Sequence, residues 1–132
     1  MNATIPGGSR ILLAEDDRFL RKAAEVMLRK RGHTVTVADD GEAALRLAQG
    51  ELPELILLDL IMPKIQGFEV LRTLKADPAT CNIPVIVISN LSQDADRQTT
   101  LEAGAVAYLV KANLSLDDLA GAVERALQPK RE

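Results

Sequence analysis

Two apolar runs in this chain end directly in acidic side chains. Residues 11–14 (ILLA) lead into the acids of positions 15–17 (EDD), and residues 55–58 (LILL) lead into Asp59. If both runs are neighbouring buried strands of a parallel sheet, their carboxylates lie together at one edge of it. Like charges at close range disfavour ionisation unless a cation lies among them. The pattern therefore indicates hard-metal chemistry of the kind that acts on phosphate groups.

Two more polar side chains follow apolar runs in the same way. Ser89 ends the run 85–89 (VIVIS), and Lys111 comes directly after the run 108–110 (YLV), which begins with Tyr108. A hydroxyl and an ammonium group at the edge that carries the acids would contact phosphate oxygens there. An acid pair, a single aspartate, a hydroxyl and a lysine form a more specific combination than any one of them.

Each of these side chains also has a purely structural interpretation. Glu15 and Asp16 could be helix-start acids, which stabilise by about 0.3–1 kcal/mol. Asp17 fits that interpretation best, as the N-cap of the first helix. Ser89 could cap the fourth helix, and Lys111 could be an ordinary surface lysine. The combination favours a functional site for all of them except Asp17.

Three further residues have simpler interpretations. Tyr108 either fills the core or takes part in a switch. His33 follows a glycine in a turn and is expected at the surface, with no metal ligand or catalytic partner beside it. Cys81 is the only cysteine, which excludes an internal disulfide and a multi-thiolate zinc site. It is expected to be a partly buried bystander.

The elements that must position these groups alternate between two patterns. Nearly continuous apolar runs are typical of strands covered on both faces, whereas apolar residues three and four apart indicate amphipathic helices. The predicted strands are 10–14, 34–37 (more polar, hence at an edge), 55–59, 85–89 and 105–110. The predicted helices are 19–30, 41–48, 68–74, 95–103 and 116–127, with end signals at Gly32, Gly50, Asp77-Pro78, Gly104 and Pro129 and a cap at Ser115 with Asp118.

This alternation implies right-handed crossovers and a doubly wound parallel sheet with helices on both faces. In such α/β sheets a ligand lies outside the carboxyl ends of the strands, at the switch point in strand order. The acids that follow the first and third strands are expected at that point.

Bulk properties limit the function classes further. A chain of 132 residues fits one domain, predicted at 9–128 between a flexible tail (1–8) and a short C-terminal tail (129–132). A net charge of −3 gives no electrostatic footprint for direct nucleic-acid or membrane binding. The absence of a signal-peptide pattern and the single cysteine predict a cytoplasmic location.

Four segments carry a resemblance to a known family. Residues 11–17, 58–63, 86–89 and 107–111 resemble the receiver domain of two-component response regulators, and the order and spacing agree from about Ser9 to Gln128. The architecture is similar to that of the single-domain chemotaxis response regulator. The resemblance implies a flavodoxin-like (βα)5 fold, a five-stranded sheet of order 2-1-3-4-5. It also implies a signalling module that catalyses only its own phosphorylation and dephosphorylation.

The resemblance implies roles for the acids. Asp59 would be the phosphoacceptor, which takes a phosphoryl group from a histidine kinase or a histidine phosphotransfer protein. Mg²⁺, for which Mn²⁺ can substitute, would be held by Asp16, Asp59 and the main-chain carbonyl of Ile61, with Glu15 acting through water.

The resemblance also implies a switch. Lys111 and Ser89 would contact the phosphoryl oxygens, and Tyr108 would rotate inward as Ser89 moves. The face made by the fourth helix, the fifth strand and the fifth helix would then signal to an unknown protein target. A monomer and a phosphorylation-linked dimer are both compatible with this arrangement.

The chain departs from the family pattern at three positions. Asn90 stands where a small residue is usual, which predicts an altered phosphoryl lifetime. Ala112 replaces a proline that usually follows a cis bond, which predicts a trans Lys111–Ala112 bond because a non-proline cis bond costs about 2.5–4 kcal/mol. Ile61 has no side-chain group to orient an attacking water, which predicts slow self-dephosphorylation.

Three rival interpretations share parts of the pattern. A flavodoxin-like FMN carrier would need a phosphate loop and aromatic residues, but acids follow the first strand and only 2% of the chain is aromatic. A phosphatase resembling the haloacid dehalogenases would place an Asp-x-Asp pattern there. A degenerate receiver that acts only as an interaction scaffold is the remaining alternative.

Overall fold

Five parallel strands alternate with five α-helices along the chain. The computed structural model describes residues 8–90 and 94–128. The sheet order is β2-β1-β3-β4-β5, the order that the family resemblance implies. The elements are β1 Arg10–Ala14, α1 Arg18–Lys30, β2 Thr34–Ala38, α2 Gly41–Glu51, β3 Leu55–Asp59, α3 Gly67–Ala76, β4 Val85–Ser89, α4 Asp94–Glu102, β5 Ala107–Val110, a 3₁₀ turn at Lys111–Asn113, and α5 Leu116–Leu127.

The sheet is covered by helices on both faces. Alternate residues of β1, β3 and β4 point to opposite sides, so each strand contributes to two apolar layers. This explains why β3 and β4 are apolar without alternation and buried at every position. The layer against α2 and α3 includes Leu12, Ile56, Leu58, Val70 and Leu74, and the layer against α1 and α5 includes Ile11, Leu13, Leu57, Leu28 and Val123.

Several predicted helix ends are confirmed. The side chain of Asp17 accepts hydrogen bonds from the N–H groups of Phe19 and Leu20, so it is the N-cap of α1. Gly32, at φ 97°, follows the end of that helix. Ser115 and Asp118 form a reciprocal capping box at the start of α5.

Other predicted boundaries were wrong. The second helix does not stop before Gly50 but continues to Glu51 and ends at Leu52, which has φ 48°. Buried Ala44 and Ala48 hold this helix against the sheet, which outweighs the roughly 1 kcal/mol that glycine costs inside a helix. The fifth strand begins at Ala107 rather than 105, the second extends to Ala38, and the fourth helix is shifted by one residue.

The prediction of a surface His33 was wrong. This side chain is buried, with 6% of its surface exposed. Its Nδ1 accepts a hydrogen bond of 3.0 Å from the Ser9 N–H, and its own N–H donates to the carbonyl of Leu28. Burial lowers the pKa of His33. The histidine therefore ties the start of β1 to the end of α1.

The predicted tails lie outside the described residues, apart from Gly8. Cys81 is partly buried, as expected. Among the helices that the structure describes, none is both long enough and apolar enough to cross a bilayer.

Candidate functional site

The strand register brings the predicted site residues to one edge of the sheet. Ala14 at the end of β1 pairs with Leu58 of β3, so the residues that follow them, Glu15 and Asp59, are neighbours. Asp59 pairs in turn with Ile88 of β4, directly before Ser89.

The acids form one cluster, as expected. Ligand oxygens of Glu15, Asp16 and Asp59 all lie within 4.8 Å of one another. Only 1% of Glu15 and 3% of Asp59 is exposed, whereas Asp16 is open to solvent. Two buried carboxylates and one exposed carboxylate offer hard oxygen donors with a route from solvent. That donor set suits Mg²⁺, which keeps several waters and binds few carboxylates.

Lys111 places one positive charge among these acids. Its ammonium lies 2.9 Å from Glu15 Oε2 and 3.0 Å from Asp59 Oδ2. Burial lowers the pKa of Lys111, but its hydrogen bonds and charge interactions with the two carboxylates outweigh burial, so the net pKa is raised. Lys111 is therefore a fixed cation at the site.

Glu15 shows that one cation does not satisfy the cluster. Its Oε2 accepts from Lys111 and from the N–H of Asp17, while its buried Oε1 has no hydrogen-bond partner in the described part of the chain. Burial raises the pKa of Glu15 to about 7, against the lowering effect of those hydrogen bonds. A buried acceptor without a partner, beside two further carboxylates, fits a hydrated metal ion.

Asp59 is oriented by the segment that follows it. The N–H of Ile61 donates to Asp59 Oδ1 at 3.1 Å, while Oδ2 accepts from Lys111. The side chain of Ile61 is 56% exposed beside the site. The carboxylate is therefore held from two sides, in a pocket of limited access.

The remaining predicted residues lie at or near the same edge. Ser89 is fully buried at the end of β4, and Tyr108 is already buried, packed in the layer of α2 and α3. Asn90 follows Ser89 and is exposed. The Lys111–Ala112 bond is trans, as predicted, and Ala112 is exposed in the 3₁₀ turn.

Two basic residues near the site are not among those that the sequence predicts for it. Arg21 on α1 donates from Nη1 to the carbonyl of Glu15 at 2.9 Å. Lys64, three residues after Ile61, pairs with acids at the start of α2. Nothing in the sequence distinguishes either from other surface basic residues, because their partners are set by tertiary packing.

The fold and the site define a class of protein. Strand order, the acid cluster and the lysine after β5 are those that the resemblance predicts, and the family model of the response regulator receiver domain matches residues 11–124. The chain belongs to the response regulator receiver family. Flavin carriers and haloacid dehalogenase-like phosphatases, the two rival families, are thereby set aside.

Curated relatives show this domain in proteins of different length. The gliding motility regulatory protein of Myxococcus xanthus is 42% identical over 116 residues, which are 88% of this chain and 15% of that protein. Protein PilH of Pseudomonas aeruginosa is 36% identical over 78% of this chain and 85% of its own length. The chain thus spans a small part of the first relative and most of the second.

Two solved structures are informative about metals. The receiver domain of a sensor histidine kinase from Pseudomonas aeruginosa, with magnesium coordinated in its active-site cleft, superposes with a TM-score of 0.82 at 31% identity, covering 91% of this chain and 98% of that one. The Mn²⁺-bound form of response regulator Rcp1 gives a TM-score of 0.76 at 32% identity, covering 89% and 90%.

Proposed function

We propose that this chain is a phosphoacceptor receiver, which takes a phosphoryl group from a phosphohistidine on Asp59. The observation that carries the proposal is the state of that carboxylate. It is buried, held by Lys111 and the Ile61 N–H, and within 4.8 Å of two other acids at the carboxyl edge of the sheet. The phosphohistidine would belong to a histidine kinase or a histidine phosphotransfer protein.

The transfer is a displacement at phosphorus. A carboxylate oxygen of Asp59 forms a bond to phosphorus while the bond between phosphorus and the imidazole nitrogen breaks. The electron pair of that bond stays on the imidazole, which takes up a proton. The product is an acyl phosphate, and hydrolysis of its new bond by water returns the aspartate.

The chain's own residues position this reaction. Asp16, Asp59 and the main-chain carbonyl of Ile61 would hold Mg²⁺ or Mn²⁺, with Glu15 acting through water. The bound metal would neutralise charge on the phosphoryl group. Lys111, already at Asp59, would pair with one phosphoryl oxygen, and the buried hydroxyl of Ser89 would donate to another after its loop moves.

A switch follows from the contact between the Ser89 hydroxyl and the phosphoryl group. Movement of Ser89 toward the phosphoryl group would change the packing around Tyr108, and with it the face formed by α4, β5 and α5. The phosphoryl group shifts an existing equilibrium by its different affinity for the two states. The signal would pass to a protein target in the cytoplasm, by a monomer or a phosphorylation-linked dimer, without direct nucleic-acid or membrane contact.

The test is binding of beryllofluoride, a phosphoryl mimic, in the presence of Mg²⁺. We expect NMR shifts at the site in the wild type and none in Asp59→Asn. Asp17→Asn is the matched control, because asparagine also caps helices and residue 17 contributes only its N–H to Glu15. A wild type that binds neither Mg²⁺ nor beryllofluoride would instead identify the degenerate scaffold.

A further inference from the structure

We propose that the start of α2 positions the β3–α3 loop (residues 60–66) for chemistry at Asp59, and that Gly41 and Lys64 are the positioning residues. The inference rests on the proposed function, because this loop carries the Ile61 carbonyl assigned to the metal. It adds to the site a residue of another helix, Gly41, and the loop lysine that pairs with acids at the start of that helix. Neither residue touches the reacting atoms.

Gly41 lies against the backbone of this loop. Its N–H donates to the carbonyl of Pro63 at 3.2 Å. A Cβ built at Gly41 would overlap the carbonyl oxygen of Ile65. Backbone does not yield as a flexible side chain does, so any larger residue at position 41 must displace the loop or the helix.

Lys64 ties the same loop to the first turn of α2 through its side chain. Its ammonium lies 3.5 Å from Asp40 Oδ2 and 3.6 Å from Glu42 Oε1. Its backbone has φ 71°, a left-handed conformation that a lysine rarely adopts. The two ion pairs therefore favour a loop conformation that the backbone preference of a lysine opposes.

The far end of the loop is fixed against Asp59 itself. The N–H of Gly67 donates to the carbonyl of Leu60 at 2.8 Å, and a Cβ at Gly67 would overlap the carbonyl oxygen of Asp59. Between these ends, the N–H of Ile61 donates to the Asp59 carboxylate. A loop held at both ends transmits a displacement at α2 to Ile61, and so to both the metal ligands and the nucleophile.

The first experiment compares two alanine substitutions in one helix. Gly41→Ala places a methyl group against the loop, whereas Gly50→Ala in α2 places it where nothing lies within 4 Å. We expect Gly41→Ala to weaken Mg²⁺ binding, measured by NMR titration, by about 10-fold or more, the scale of groups that orient metal ligands. Gly50→Ala should bind Mg²⁺ as the wild type does.

A second pair of variants keeps the proposal testable if Gly41→Ala does not fold. Lys64→Gly removes both ion pairs and suits the left-handed backbone, whereas Lys64→Arg retains the charge. We expect Lys64→Gly to weaken Mg²⁺ binding and slow phosphorylation by acetyl phosphate by about two- to fivefold, the scale of exposed ion pairs. Lys64→Arg should keep both the Mg²⁺ affinity and the phosphorylation rate near those of the wild type.

A control variant for loss of stability alone lies at the amino end of the strands, away from the acids. Ile11→Val removes one buried methyl group near the start of β1 and should lower stability without changing the affinity for Mg²⁺. The proposal would be overturned by a folded Gly41→Ala variant that binds Mg²⁺ with wild-type affinity. It would also be overturned by a Lys64→Gly variant that acetyl phosphate phosphorylates at the wild-type rate. Failure of the proposed function would appear separately, as a wild type that does not bind Mg²⁺.

Discussion

Lys111 and Glu15 are 96 positions apart in the chain, yet Lys111 Nζ lies 2.9 Å from Glu15 Oε2. The same ammonium contacts Asp59, so one cation from the end of β5 bridges the carboxylates that follow β1 and β3. A metal ion at this cluster would share those carboxylates with the lysine. The two cations would therefore compete electrostatically, although the proposed phosphoryl transfer uses both.

Replacing Lys111 should separate these two effects. In Lys111→Met we expect Mg²⁺ to bind at least tenfold more tightly, because the substitution removes a like-charge repulsion. Tenfold needs only about 1.4 kcal/mol, well below the roughly 4 kcal/mol by which unit charges 4 Å apart repel at an effective dielectric constant of 20. Phosphorylation of Asp59 by acetyl phosphate should nevertheless become slower. Calorimetric Mg²⁺ titration and phosphoprotein assays measure the two. Lys22→Met, at an exposed lysine of α1, is the control, and weaker Mg²⁺ binding in Lys111→Met would contradict the interpretation.

His33 predicts a pH dependence of stability remote from the site. Burial lowers its pKa in the folded protein, opposed by Glu124 and Glu54 and assisted by Arg31. A lowered folded pKa means that the stability is complete above the unfolded value of 6.5 and is lost as the pH falls through the folded value. Protonation would also remove the acceptor for the Ser9 N–H.

Urea unfolding of the wild type and His33→Asn at about pH 7.5 and about pH 5.5 checks this. Asparagine Oδ1 accepts the same hydrogen bond but does not titrate, so the variant should lose less stability on acidification. An equal loss in both proteins would assign the pH dependence to other groups.

Ile61 is expected to set the lifetime of the proposed acyl phosphate. Its side chain is half exposed beside Asp59 and offers no hydrogen bond to water. We expect Ile61→Asn to accelerate dephosphorylation by about tenfold, less than the 10²–10⁴-fold of a full general base. Decay of the phosphorylated protein after removal of the donor measures it. Ile61→Val should keep the slow rate, and a slow Ile61→Asn would count against the role of this side chain.

The fourth helix is predicted to be the most mobile. Among its residues with described side chains, only Thr100 is buried, whereas α3 buries Val70, Leu71 and Leu74. Segments with few buried apolar contacts open at low free-energy cost. Amide hydrogen exchange should be fastest in α4 and should change there on beryllofluoride binding, with α3 as the internal reference. Uniform protection in both states would exclude α4 as the moving element.

Much of the fold was readable from the sequence because apolar runs end at chemically distinct residues. The acids after residue 14 and at residue 59 marked the ends of β1 and β3, and Asp17 marked the start of α1, all as observed. These signals are local, so they do not depend on knowing the partner elements. The strand order, by contrast, came from the family resemblance.

What was missed depends on tertiary contacts. Glycine at position 50 predicts a helix end, but α2 continues past it to Glu51, with Ala44 and Ala48 buried against the sheet. The sequence around His33 predicts a surface turn residue, because it gives no sign that the Ser9 N–H, 24 positions earlier, donates to the imidazole. The contacts of Lys64 with α2 likewise join segments that only the folded loop brings together.

The position of β5 has a mechanical consequence. In the described sheet this strand has a strand neighbour on one side only, β4, yet it carries Tyr108 and leads into Lys111. Moving a central strand would disturb two hydrogen-bonded ladders, whereas displacing β5 strains one. A change of charge at Asp59 that displaces Lys111 would therefore strain a single ladder, and through Tyr108 it would reach the apolar layer against α2 and α3.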